Sequence, residues 1–278
     1  MPRNAATLEI RGGPGGVTRH SLGELWVYRE VWWAFVVRNV GVKYKQAAIG
    51  IGWAVVQPIA AAALFAVFIG HVAHVSSEGL PYLLFALAGM IAWTYFSAAA
   101  GSAMESLVSD QVMLRKVYFP REILPLAAVT SALVDFLPAL ATLLVACLAY
   151  GVTPTLSWIA LPICVLLLLV AATALGLGIA GLNVYYRDIR YALPFVLQLG
   201  LFASPVIYPL AKVPGAWRTV YAVLNPVAAA IDGIRRCVLH GTWPAAGPTI
   251  GAFAWSLLLI AAGYVLFKRL ERGFADRV

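Results

Sequence analysis

Long apolar runs, separated by short stretches that contain the charges, dominate the pattern of hydrophobic and polar positions along this chain. A helix needs about 20 apolar residues to cross the hydrocarbon core of a bilayer. Six runs qualify, at residues 53–75, 80–104, 123–150, 156–182, 191–210 and 249–267. The fifth contains Pro194, Pro205 and Pro209, so we expect it to be kinked or broken. The pattern therefore predicts an all-α integral membrane protein with six transmembrane helices.

Two further regions have a helical pattern without the length of a span. Ser21 and Glu24 form a capping box that opens an N-terminal amphipathic helix over residues 22–40, and its charges favour a position in the headgroup layer. The alternative is a seventh span, which would place the termini on opposite sides. In the loop 211–248, apolar positions recur at helical spacing on both sides of Asn225-Pro226, which predicts two short outer-side re-entrant helices between spans five and six.

Basic residues lie mainly on one side of the predicted membrane. The net charge is +8, and 16 of the 20 Lys and Arg residues fall in four regions, which are 1–52, 105–122, 183–190 and 268–278. The other four fall in the loop 211–248. By the positive-inside rule, both termini of this multi-pass protein are cytoplasmic. The chain thus divides into a cytoplasmic N-terminal segment (1–52), a six-span domain (53–267) and a cytoplasmic basic tail (268–278).

Composition and motifs exclude several classes of function. With 62% hydrophobic and 12% charged residues, the chain is too apolar for a soluble enzyme, and its basic residues follow the membrane boundaries rather than a nucleic-acid-binding face. No GxxxxGK[ST] stretch is present to bind nucleotide phosphates. His71 and His74 have no Cys, Asp or third His near them in sequence, and no catalytic triad can be assembled. We therefore expect a transport protein without a catalytic residue or metal of its own.

Asp135 is the one acidic residue deep inside a predicted span. A charged carboxylate at the centre of a bilayer is unfavourable, so we expect this side chain to face the bundle interior or water. Two interpretations stay open, a polar point on a transport pathway or a hydrogen-bonded acid that fixes helix packing near Pro138. The sequence shows no buried Lys or Arg opposite it, which argues against a proton- or sodium-coupled relay.

Four parts of the chain resemble the membrane subunit of ABC-2-type polysaccharide exporters, the family that serves O-antigen, capsule and teichoic-acid export. They are residues 40–58, LRKVYFPREILP at 114–125, NVYYRD at 183–188 with SPVIYP at 204–209, and LNP at 224–226 with Gly233 and Arg235. These parts follow the family's order along the chain. The KVYFPRE stretch is quite specific to it.

The resemblance implies a transmembrane subunit of an ATP-driven transporter that exports a lipid-linked polysaccharide across the cytoplasmic (inner) membrane. It implies a homodimer that forms the channel, and two copies of a cytosolic ABC ATPase subunit. ATP and magnesium would bind to that partner, so no cofactor is expected in this chain. Membrane lipids are expected partners and nucleic acid is not.

Three other functions remain as alternatives. An ABC-2 exporter of lipids or drugs would have a drier, less aromatic cavity. A secondary transporter or channel would be expected to show more intramembrane charges or an inverted repeat. A membrane-embedded glycan enzyme would show clustered acids or histidines in its loops.

Three groups of residues are candidates for the work of export. Contact with the ATPase is expected from charged residues of the 105–122 loop, namely Arg115, Lys116, Arg121 and Glu122. Aromatic faces and hydroxyls suit sugar rings, so the channel-lining candidates are Tyr82, Trp93, Tyr95, Phe96, Asp135 and Tyr208. The outer-gate candidates are Trp217, Tyr221 and Arg235. The alternatives are headgroup anchors for the charged residues, and an interfacial belt or core packing for the aromatics.

Overall fold

The computed structural model describes residues 26–45, 50–72, 79–271 and 273–274, without the side chains of Val72 and Arg115. Several residues used in the sequence analysis lie outside the described part: Ser21, Glu24 and His74, together with most of the basic tail beyond Glu271. Within the described ranges every regular element is a helix, which confirms the predicted all-α class.

The described ranges contain eleven α-helices. They are α1 (Arg29–Tyr44), α2 (Gly52–Phe65), α3 (Tyr82–Ser109), α4 (Gln111–Lys116), α5 (Ile123–Ser131), α6 (Leu133–Ala149), α7 (Leu161–Tyr185), α8 (Ile189–Ala203), α9 (Gly215–Leu224), α10 (Pro226–Val238) and α11 (Ala246–Glu271). A π-helical segment, Ala66–Val72, extends α2. Two short 3₁₀ segments occur as well, Leu156–Ala160 before α7 and Leu210–Lys212 before α9.

Five helical stretches of the described part are long and apolar enough to cross a membrane. They are Gly52–His71, Tyr82–Ser109, Ile123–Ala149, Leu156–Tyr185 and Ala246–Glu271. They correspond to the first, second, third, fourth and sixth predicted runs. This arrangement makes the protein a membrane protein.

The six-span count is not confirmed, because the fifth predicted run forms the shorter helix α8. Its 15 residues extend about 22 Å at 1.5 Å per residue, less than the roughly 30 Å of a bilayer core. The helix ends at Ala203 because Ser204 is extended and Pro205 follows it without an N–H group. The predicted break in this run is therefore present, and the helix ends there instead of continuing with a kink.

The predicted N-terminal amphipathic helix is present as α1, but it extends to Tyr44 instead of ending at residue 40. Its buried residues Phe35 and Val36 pack on α5, and the Phe35 ring lies 5.3 Å from that of Phe119. Trp33 on the same helix is exposed. One side of α1 therefore rests on the bundle, and its place in the headgroup layer stays a prediction.

The centre of the bundle is formed by α3 and α7. In the apolar window of α3, 72% of the residues are buried inside the protein, against 11% for α2. The helices α7 and α11 approach closely because Gly263 lies against the backbone of Ala174 and Gly178, where small residues allow tight helix packing.

The predicted pair of short helices in the loop 211–248 is present as α9 and α10. Asn225 caps α10, since its side-chain oxygen accepts from the Ala228 N–H. Nearly every residue of α10 is buried, against α3, α7 and α11. The three cysteines of the chain, Cys147, Cys164 and Cys237, are also buried. Whether α9 and α10 re-enter the membrane stays a prediction.

Candidate functional site

A polar cleft lies between α1, α2, α3 and the pair α5–α6. It consists of two adjoining cavities of about 410 and 510 Å³, and Lys43, Tyr44, Ala98 and Ala132 line both. The polar residues that α3 places along it are Thr94, Ser102, Glu105, Ser106 and Ser109. Hydroxyl and carboxyl groups of α3 thus follow a cleft whose lining also contains many apolar side chains.

Asp135 lies in the wall of this polar cleft, in the first turn of α6, and forms an ion pair with Lys43 of α1. The sequence analysis expected no buried Lys or Arg opposite Asp135, and the partner that the structure gives it is an exposed lysine. Lys43 is 92 positions away, on the part of α1 that extends beyond the predicted end of that helix at residue 40. The Lys43 side chain is 56% exposed, whereas Asp135 Oδ1 is buried and has no hydrogen-bond partner among the described residues. The lysine of the pair is thus open to the cleft.

A second ion pair joins α1 to the end of α3. Arg38 Nη1 donates to Asp110 Oδ1 at 2.7 Å while Nη2 donates to Oδ2 at 2.5 Å, the two-pronged geometry that makes arginine–carboxylate pairs strong. The same guanidinium lies 4.7 Å from the centre of the Phe35 ring. The helix α1 is therefore attached to α3 and α6 by charge as well as by apolar packing.

The four candidates for ATPase contact do not share one surface. Lys116 is exposed at the end of α4, and the side chain of Arg115 lies outside the description. Glu122 is only 2% exposed and pairs with Lys268 at 3.0 Å. Arg121 Nη1 donates to the Glu271 carbonyl at 3.1 Å. Two of the four thus connect the start of α5 to the end of α11.

The aromatic residues of α3 face two different cavities. Tyr95 lines the polar cleft, although it is buried with its ring 5.2 Å from that of Phe136. Trp93 and Phe96 line an apolar cavity of about 610 Å³ between α3, α7, α8 and α11. Only Tyr95 and Asp135, of the six channel-lining candidates, therefore border the polar cleft.

Side chains from other helices bind the backbone carbonyls of the non-helical segment that follows α8. The Tyr82 hydroxyl donates to the Ile207 carbonyl at 2.5 Å, and the Tyr221 hydroxyl donates to that of Ala203. Burial raises the pKa of the Tyr221 phenol above its usual range, and a hydrogen bond with Tyr208 adds to this. The phenol therefore stays protonated and able to donate. We call the carbonyls of residues 203–208, with the side chains that bind them, the carbonyl cage.

Arg235 is the central residue of the carbonyl cage. It is 3% exposed, and it donates to the carbonyls of Pro205 at 2.6 Å, Val206 at 2.5 Å and Phe85 at 3.0 Å. Its guanidinium carbon also lies 3.5 Å from the centre of the Phe85 ring. A Cβ at Gly89 would meet the Val206 oxygen at 2.5 Å and the guanidinium at 2.7 Å. The cage therefore requires a glycine at that position.

The three outer-gate candidates do not all lie at one site. Arg235 and Tyr221 belong to the carbonyl cage, while Trp217 is 66% exposed and takes no part in it. Sequence reasoning missed Lys268 and Gly89. A glycine inside a long apolar helix is a signal of close backbone approach, but no local signal pairs Lys268 with a residue 146 positions away.

Comparison with known proteins assigns this fold to a family. The sequence profile described as ABC-2 type transporter matches residues 30–239, which include every residue that lines the polar cleft and the whole carbonyl cage. The O-antigen export system permease protein RfbA of Myxococcus xanthus is 27% identical over 256 residues, which is 92% of this chain and 98% of that protein. RfbA of Klebsiella pneumoniae is 25% identical over 242 residues, 86% of this chain and 91% of that protein. The polysialic acid transport protein KpsM of Escherichia coli is 19% identical over 240 residues, 86% of this chain and 92% of that protein.

Proposed function

The chain belongs to the ABC-2 type transporter family, and on this premise we propose that it is the transmembrane subunit of an ATP-driven exporter of a lipid-linked polysaccharide. The observation that supports the substrate most is the match along 98% of the O-antigen export permease of M. xanthus. The polar cleft agrees with it, because hydrated sugars need hydroxyl and charged groups along their path. An exporter of lipids or drugs would be expected to have a drier cavity.

Two copies of a separate cytosolic ABC ATPase subunit would bind ATP with its magnesium ion and drive export. The excess of basic residues at both ends of the chain supports cytoplasmic termini. In that orientation α1 and the exposed end of α4 at Lys116 would face the ATPase. Movement of α4 would then reach α11 through Arg121 and Glu122, which bind Glu271 and Lys268.

A second copy of the chain would complete the channel. The exposed apolar residues of α2 include Trp53, Val56 and Leu64, and this helix is the least buried of the five candidate spans in the described part. Since α2 also lines the polar cleft through Trp53 and Gln57, a copy packed against α2 would enclose the cleft. The resulting homodimer would enclose a hydrated path, which in a single bundle is open on one side.

Deletion of the chain in its host tests the proposed function. Lipid-linked polymer should accumulate on the cytoplasmic side and disappear from the cell surface, and expression of the wild-type chain should restore it. Accumulation of a lipid without glycan would favour the lipid exporter instead. Normal surface polymer in the deletion strain would contradict both.

A pair of tryptophan variants tests the polar cleft as the path. Ser102→Trp fills the cleft from α3 and should reduce surface polymer several-fold at equal protein level. Leu257→Trp places the same tryptophan side chain on the exposed apolar side of α11 and should leave export near the wild-type value. Equal export by the two variants would contradict the path.

A further inference from the structure

A small polar cavity of about 310 Å³ lies apart from the polar cleft and the carbonyl cage. It is formed where α3 and α4 meet the end of α7 and the start of α8. Two arginines line it, Arg187 and Arg190, together with the amide residues Gln111 and Asn183. The cavity therefore offers hydrogen-bond donors and positive charge in a confined space.

The two arginines of this cavity form no ion pair within the part of the chain that the structure describes. Of the arginines whose side chains are described, Arg187, Arg190 and Arg269 alone take part in no hydrogen bond or ion pair within the described residues. Asp188 lies between the two arginines in sequence but does not line the cavity, and it forms no ion pair with either. Both arginines are exposed, and two unpaired guanidinium groups that line one cavity attract an anion.

We infer that this cavity binds the phosphate or diphosphate group of a membrane lipid. Guanidinium groups bind phosphate oxygens through paired N–H donors, and two of them can hold a group with two or more negative charges. Amide side chains such as Gln111 can donate further hydrogen bonds.

The surface next to the cavity identifies the ligand as a lipid rather than a free anion. Tyr191 lines the cavity and is 79% exposed. From it an exposed apolar stripe continues along one face of α8 through Phe195, Leu199 and Phe202, at helical spacing. A lipid whose phosphate lies between the arginines can therefore extend its hydrocarbon chain along this stripe.

The inference deepens the proposed function and rests on it for the side of the membrane. With cytoplasmic termini, the cavity opens toward the cytoplasmic leaflet, where the lipid carrier of a glycan and anionic phospholipids both present phosphate groups. The binding assay below uses neither ATP nor export. A failure to bind would thus leave the exporter assignment intact, and a failure of the deletion experiment would leave binding intact.

Binding of radiolabelled farnesyl diphosphate to the purified full chain in phosphatidylcholine nanodiscs tests the site. We expect saturable binding at one site per chain. The double variant Arg187→Gln/Arg190→Gln should weaken it at least about tenfold, because charge-assisted hydrogen bonds to the anion are lost. The matched double variant Lys45→Gln/Arg269→Gln removes two charges from exposed residues outside the cavity and should change the dissociation constant less than about twofold.

Competition distinguishes the two lipid sources. If unlabelled geranylgeranyl diphosphate displaces the probe but phosphatidylglycerol in the nanodisc does not, the ligand is an isoprenoid diphosphate. If phosphatidylglycerol displaces it equally, the ligand is an anionic phospholipid, and either result supports the site.

Three outcomes would overturn the inference: binding that does not saturate, equal loss of affinity in the two double variants, or displacement of the probe by the ATPase subunit alone. The last would mean that acidic residues of the partner occupy the arginines. The single variant Arg190→Lys guards against misfolding, since it keeps the charge but loses the paired donors, and it should weaken binding while leaving the thermal midpoint unchanged.

Discussion

The carbonyl cage and the wall of the polar cleft hold their positive charges in different ways. In the cage, the buried Arg235 binds neutral backbone carbonyls, and Gly89 permits no extra atom beside it. At the cleft, Lys43 and Arg38 pair with carboxylates and remain 56% and 37% exposed. Water and salt compete for the exposed pairs, but the burial of Arg235 keeps water away from its carbonyl ligands. The carbonyl cage is thus suited to hold the segment 203–208 in a fixed position. The ion pairs of the cleft are suited to break and re-form when α1 moves.

The largest effect should follow Arg235→Met. The substitution leaves the carbonyls of Pro205 and Val206 buried without a donor, and each unsatisfied group costs about 1–3 kcal/mol. We expect destabilisation above about 3 kcal/mol, measured by denaturant unfolding in detergent, with a loss of folded protein in the membrane.

The next residue provides the control for this loss. Arg236 is part-exposed and pairs with Asp232 one helical turn away, so Arg236→Met should change stability by less than about 1 kcal/mol. Similar destabilisation by the two variants would remove the distinction between the cage and an ordinary charged surface.

The second effect concerns Gly89. A methyl group there would lie within 2.7 Å of both the Val206 oxygen and the Arg235 guanidinium, so Gly89→Ala should cost about 1–3 kcal/mol in the same unfolding experiment. Gly101→Ala on the same helix meets nothing within 4 Å and should be neutral or stabilising by up to about 1 kcal/mol. Stabilisation by both substitutions would contradict the close approach.

The third effect concerns Glu122, which shares burial with the cage and ion pairing with the cleft wall. Glu122 is buried like Arg235 but bound by an ion pair. Glu122→Gln should destabilise by about 1–3 kcal/mol, since Lys268 loses a charged partner yet keeps Glu271 at 2.8 Å. The matched variant Glu105→Gln alters an exposed acid with no ion pair in the described part of the chain, and its thermal midpoint should stay within about 1 °C of the wild type.

The smallest effect on stability should come from the cleft pairs. Lys43→Gln should cost less than about 1 kcal/mol, because the lysine is more than half exposed, yet it should alter export by freeing α1 from Asp135. Lys45→Gln changes an exposed lysine two positions on and should leave export unchanged. A large loss of stability in Lys43→Gln at high salt would show that the pair is not screened as we describe.

The hydropathy of the chain predicted most of the bundle. An apolar run of this length must form a helix in lipid, because a helix satisfies its own backbone hydrogen bonds. It also predicted that the fifth run breaks, since Pro205 and Pro209 cannot continue a helix. It failed on the length of α8, because the count of apolar residues does not distinguish a span from a short helix followed by Ser204–Pro209. Hydrogen bonding of that segment to Arg235 depends on α10, far along the chain.

The candidate site could be predicted only in part. Aromatic and charged residue types pointed to Asp135, Tyr221 and Arg235, each of which has a defined contact in the structure. Their partners could not be found in this way, because Lys43 and Phe85 are 92 and 150 positions away from the residues they bind. Which face of α3 each aromatic side chain occupies also depends on neighbours that periodicity does not identify.

The burial of Cys147, Cys164 and Cys237 has a practical consequence for experiments on topology. A membrane-impermeant maleimide should leave the native thiols unmodified in the folded protein, so a single cysteine introduced at an exposed position such as Trp217 or Lys116 would give the only labelling signal. Accessibility from each side of intact vesicles could then be mapped in the wild-type background, without a cysteine-free variant.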